Sequence, residues 1–186
     1  MEGILTGLRR LSVGQRELGR VGVDGPRGQM RRLSRINPVW LFPATYILHL
    51  CEEYFAGGGF PLWAQRTLRL QFSDAEFVAW NAVALALMCL GAWLVSRDPR
   101  FRFIEIAVAV AVLGNVAAHV LGSVTTRTYS PGLFTGIVLW MPVGVHRLQR
   151  AWAASTRKGR VAGMYIGVSV VLVTIIAVAA RALLGR

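Results

Sequence analysis

Charge is scarce in this sequence. Only 16% of its 186 residues are charged, where a soluble domain carries about a quarter. Acids are scarcest, with nine Asp+Glu against 21 Lys+Arg, for a formal net charge of +12. An excess of base on that scale, with a pI near 11.4, would ordinarily suggest a nucleic-acid partner. The chain is nevertheless 54% hydrophobic and its mean hydropathy is +0.49. That combination excludes a disordered basic tail as the whole protein and argues against nucleic acid. Two cysteines do not make a disulfide framework. Cys51 and Cys89 both lie in apolar runs and are expected to be reduced packing residues. No period-2 alternation supports a transmembrane barrel, no internal repeat is visible, and no signal-peptide core opens the chain.

What is present is long apolar runs. Five stretches approach the roughly 20 helical residues that cross a bilayer core: Val39–Ala56, Phe77–Val95, Ile104–Leu121, Tyr129–His146 and Val161–Ala180. Backbone groups in lipid must be satisfied internally, so these read as helices. The expected fold class is all-α, a polytopic membrane helix bundle of about five transmembrane helices. Small residues such as Ala82, Gly91, Gly136 and Gly167 would allow close helix approach. With the N-terminus in the cytoplasm, the leader places eight basic residues inside, the Arg97–Arg102 loop three and the Arg147–Arg160 loop five. Sixteen of the 21 basic residues are then cytoplasmic, which favours N-in and C-out. Trp40, Trp63, Trp80 and Trp140 fall near span ends, as aromatic belts do, and Phe60–Phe72 is expected along the outer interface.

Three regions follow. Residues 1–37 form a basic, Arg- and Gly-rich cytoplasmic leader, expected to be disordered or to lie on anionic lipid. A start at Met30 is the alternative, which would leave residues 1–29 untranslated. Residues 38–150 form a four-helix membrane domain, and 151–186 a cytoplasmic loop with the fifth helix.

Few polar residues interrupt the apolar helices. In the first span His49, Glu52 and Glu53 follow i, i+3, i+4 spacing and are expected to form one polar cluster. Two adjacent carboxylates at membrane depth need protons, a cation or water, and such residues mark a functional site by default. In the third span Asn115 and His119 share a face at i, i+4. The first and third spans run the same way, and His49 and Asn115 both lie about 15–17 Å in. The two polar faces can therefore meet, and Tyr129-Ser130-Pro131-Gly132 enters from the same side to close the cluster. Asn81 is also at that end. Glu105, beside Arg102, and His146, beside Arg147, read as structural residues of the opposite end.

His49-x-x-Glu52-Glu53, then Asn115-x-x-x-His119, then Tyr129-x-Pro131-Gly132, resembles the HXXEE-domain family of bacterial integral membrane proteins. The motifs occur in the family's order between roughly Trp40 and Arg150. The resemblance implies a small multi-pass domain of the bacterial inner membrane, of unestablished function, with motifs suggestive of an enzyme. The long leader is not part of that pattern.

The chemistry open to these residues is of two kinds. A divalent metal such as zinc or iron would take His49, Glu53 and His119 as ligands and neutralise negative charge at depth. Without metal, a Glu and a His could work as acid and base. In that reading Tyr129 donates to a developing oxyanion, and Asn115 orients His119 or holds a substrate carbonyl. Soluble zinc and di-iron signatures are absent, as are a Ser-His-Asp arrangement, a phosphate-cradling loop and a dinucleotide fingerprint. The leading expectation is a membrane-embedded enzyme acting on a small amphipathic or lipid-like substrate. A proton- or metal-coupled permease and a non-catalytic partner subunit are the alternatives.

Overall fold

The computed structural model describes residues 37–184, all helix and connecting turn among those residues. The basic leader before Asn37 and the alternative start at Met30 lie outside the described residues. A turn at Pro38–Trp40 leads into α1 (Leu41–Phe55). Then follow α2 (Phe60–Leu68), α3 (Asp74–Arg97) and α4 (Arg102–Thr126). A short helix, Leu133–Thr135, passes through π-helical Gly136–Trp140 into α5 (Met141–Ala154). The described chain ends in α6 (Arg157–Leu184).

Among the described residues three helices are long and apolar enough to cross a membrane: α3, α4 with its preceding turn (Pro99–Thr126), and α6. Their outward faces carry Trp80, Leu87, Val173 and Ile176, all exposed. Apolar exposure on this scale is stable against lipid, not water. The first and fourth expected spans are built differently. Gly57, Gly58 and Gly59 all have positive φ and stop α1 after 15 residues, about 22 Å of helix. The fourth segment is a loop through Gly132, and its helix widens just before Pro142. Proline has no N–H for the Val138 carbonyl and would press on it, and a π-turn accommodates both.

α4 is the axis of the bundle, packing against α3, α5 and α6. In lipid, apolar burial drives helix association weakly, and close approach of small residues replaces it. A Cβ on Gly163 would lie 2.6 Å from the Phe103 carbonyl oxygen, and one on Gly167 would lie 2.7 Å from Val110 Cβ. These two glycines, one helical turn apart, let α6 lie backbone-close on α4. Replacing either with leucine is expected to cost about 1–3 kcal/mol by overpacking and to lower the thermal midpoint in detergent. Gly159→Ala, whose added Cβ would sit 3.5 Å from its nearest neighbour, is the control. Equal midpoints for the leucine variants and the control would show that α6 does not depend on this contact.

At one end of the bundle α3 starts with a capping box, Ser73 and Glu76 exchanging hydrogen bonds with each other's backbone. Glu76 also pairs with Arg181 near the end of α6. At the same end α2 packs one face inward and leaves Gln65 and Arg66 exposed. Trp63, Ala64 and Leu70 are buried, and Trp63 donates its indole N–H to Thr128 (2.9 Å). Trp63 and Trp140, expected in an interfacial belt, are core residues instead, while Trp80 is exposed.

Candidate functional site

The site begins on α1, where i, i+4 spacing puts His49 and Glu53 on one face. Glu53 Oε1 lies 3.5 Å from His49 Nε2 and 3.1 Å from His119 Nε2, which arrives from α4. His49, Glu53 and His119 are all buried, at 0%, 6% and 4% exposure. One candidate ligand atom from each lies within 4.8 Å of the other two. Around a tetrahedral ion with bonds of about 2.0–2.1 Å, ligand atoms stand about 3.3 Å apart. The distances of 3.1 and 3.5 Å bracket that spacing. The three residues named from sequence as metal ligands are therefore brought together.

Both imidazoles are held from behind by residues that sequence reasoning missed. Ser130 Oγ lies 3.0 Å from His119 Nδ1, and Thr135 Oγ1 lies 2.8 Å from His49 Nδ1. Both Nε2 atoms therefore face Glu53. His49 Nε2 has no hydrogen-bond partner among the described residues, although it is fully buried. Trp140, carried inward by the π-helical segment, stacks on the His49 ring with centroids 4.1 Å apart. Ser130 is itself fixed by its backbone N–H, which donates to Ser123 Oγ (3.0 Å). A hydroxyl inside the Tyr129–Gly132 stretch was the only sequence signal for Ser130; nothing marked Thr135.

Glu52 departs from the single cluster expected of His49, Glu52 and Glu53. Successive helical residues point about 100° apart, so the two adjacent carboxylates face different neighbours. Glu52 accepts hydrogen bonds from the Tyr129 hydroxyl and from the backbone N–H groups of Gly132 (3.1 Å), Phe134 (3.0 Å) and Thr135 (2.6 Å). Its carboxylate satisfies the otherwise unpaired N–H groups that open a helix. In effect it clamps the 129–135 loop over the histidines. Tyr129 accordingly binds Glu52. Pro131 is buried within this loop. Gly132, at φ +97°, lies so close that a Cβ there would stand 2.7 Å from His119 Cε1 and 2.9 Å from Glu53 Cγ.

Asn115 shares the His119 face but does not orient it; Ser130 does. Asn115 Oδ1 is buried without a hydrogen-bond partner among the described residues. Asn81 is also outside the cluster, accepting from the Tyr46 hydroxyl (2.5 Å) and donating to the Phe77 carbonyl (2.8 Å). At the opposite end of α4, Glu105 is buried and its partner is Arg147, whose Nε donates at 2.6 Å, rather than Arg102. His146 is exposed. Cys51 and Cys89 are free thiols.

No curated protein and no solved structure matches the chain. A family model described as "Protein of unknown function with HXXEE motif" matches residues 40–147, which takes in α1 to α4 and the loop that Glu52 clamps. The residues that build the cluster all fall within that match, and the chain belongs to the HXXEE family.

Proposed function

We propose that the chain is a membrane-embedded enzyme of the bacterial inner membrane, with His49, Glu53 and His119 holding a divalent metal, zinc or iron. In this reading five helices cross the membrane, N-in and C-out, and the cluster lies toward the outer leaflet. The observation that carries the metal is the unpartnered, buried Nε2 of His49 beside a carboxylate already engaged by a second imidazole. A buried ring nitrogen left 3.5 Å from a carboxylate oxygen with no hydrogen bond is costly unless a third body completes the contact. Two His and one carboxylate are a ligand set of zinc enzymes and of non-haem iron oxygenases. Three protein ligands rather than four suit a catalytic centre, because positions are left for substrate.

A divalent ion held there would supply Lewis acidity toward a substrate carbonyl or phosphoryl oxygen. The chain's own residues do the rest. Ser130 and Thr135 fix ring orientation, and Trp140 excludes water from one face of His49. Asn115, with a free carbonyl oxygen on the His119 face, would accept a substrate N–H or O–H. Phe55, Tyr129 and Phe134 are exposed around the clamped loop, an apolar margin that supports an amphipathic or lipid-like substrate.

Elemental mass spectrometry of the full chain, purified in detergent, tests the reading. One zinc or iron per chain is expected, and His119→Ala should bring it to background with helix content unchanged. Ser130→Ala should weaken binding by roughly 10- to 100-fold, the usual effect of losing a partner of a ligating His. A wild-type chain that binds neither metal on replenishment would sink the proposal, and would favour the metal-free acid–base or coupled-permease alternatives.

A further inference from the structure

A second polar feature sits at the far end of α4, fourteen residues from His119 and about 21 Å along the helix. It is an open cavity of about 390 Å³ between the start of α4 and the end of α5, lined by Arg102, Glu105, Arg147, Arg150 and the alanines 151, 153 and 154. Three arginines and one glutamate line it. That carboxylate is already spent, because Glu105 Oε1 accepts from both Nε and Nη2 of Arg147. Arg102 uses one N–H on the Ala154 carbonyl (3.1 Å), leaving four of its five donors. Arg150 is exposed, one turn beyond Arg147 on α5. The lining therefore carries two positive charges beyond its own acid, on side chains whose planar forks match phosphate oxygens. The small alanines leave room for a head group between them.

We propose that this cavity binds the phosphate of an anionic phospholipid head group. The proposal does not depend on the metal centre. It uses the membrane reading, which puts this end at the cytoplasmic surface, where basic pockets between helices meet anionic lipid. The Glu105–Arg147 pair builds the wall, and Arg102 and Arg150 contact the phosphate.

The test is native mass spectrometry of the delipidated full chain in detergent, titrated in turn with phosphatidylglycerol, phosphatidylcholine and inorganic phosphate. Phosphatidylglycerol should bind more tightly than phosphatidylcholine, and inorganic phosphate should compete weakly. Arg102→Gln with Arg150→Gln should weaken phosphatidylglycerol roughly 30-fold, and Arg150→Gln alone about 5-fold. The single variant keeps the Arg102–Ala154 bond, so it remains informative should the double variant fail to fold. Full phosphatidylglycerol affinity in the folded variants would overturn the proposal. So would inorganic phosphate binding as tightly as the lipid, which would assign the cavity to a free anion.

Discussion

Gly132→Ala is expected to empty the proposed metal centre although it adds a single methyl group. Two costs coincide at this position. The backbone has φ +97°, where an L side chain is strained by about 1–3 kcal/mol. The new Cβ would also stand 2.7 Å from His119 Cε1 and 2.9 Å from both His119 Nε2 and Glu53 Cγ. None of these neighbours is the free end of a flexible chain. His119 is held by Ser130 from behind, and Glu53 Cγ is close to the α1 backbone. Overpacking of a fixed site adds about 1–3 kcal/mol, so either the loop lifts or the histidine and glutamate part.

Gly58→Ala separates the two costs. Gly58 is also at positive φ, but its Cβ would meet only the tip of the Leu62 side chain at 3.1 Å. Gly58→Ala should lower the thermal midpoint and keep full metal content, while Gly132→Ala should lose both. Wild-type metal content in Gly132→Ala would mean that the loop does not seat against the cluster.

The polar logic of the site was legible in the sequence because helical spacing is rigid. His49 and Glu53 at i, i+4, and His119 at matching depth on a parallel helix, had to converge if α1 and α4 packed together. Gly132 was legible as a motif but not as a close contact, since nothing in Tyr129-Ser130-Pro131-Gly132 says which atoms the glycine backbone touches. Residues acting through loops stayed hidden. Ser130 and Thr135 reach the imidazoles only because the loop folds back over α1. Trp140 reads as a belt residue until the widened helix before Pro142 turns it onto His49. Arg147, rather than Arg102, pairs with Glu105 because α5 packs along α4, a tertiary fact that proximity in sequence misreports. The fourth expected span opens in a loop and its helix runs on past His146 to Ala154, since hydropathy does not register where a glycine at positive φ delays the helix or where charged residues continue it.

The two adjacent glutamates offer the sharpest test, because the same substitution at each should fail in opposite ways. Glu53→Gln removes the carboxylate that both imidazoles face, the proposed anionic ligand. Metal affinity should fall by more than the 10- to 100-fold that losing an outer partner costs, while the metal-free chain keeps its fold, since glutamine fills the same volume. Glu52→Gln leaves all three ligands in place and strikes the clamp instead. The carboxylate oxygens accept from the Tyr129 hydroxyl and from three backbone N–H groups. Glutamine offers one acceptor oxygen and turns its NH₂ toward donors, leaving groups unsatisfied at about 1–3 kcal/mol each. The thermal midpoint should therefore drop further for Glu52→Gln than for Glu53→Gln, with metal still bound, though more weakly, because Ser130, Gly132 and Thr135 ride on the loosened loop. Thermal melts and metal titrations on both variants decide it. If Glu52→Gln loses metal as completely as Glu53→Gln without losing stability, the two carboxylates serve one centre, and the division of labour between neighbours on α1 is wrong.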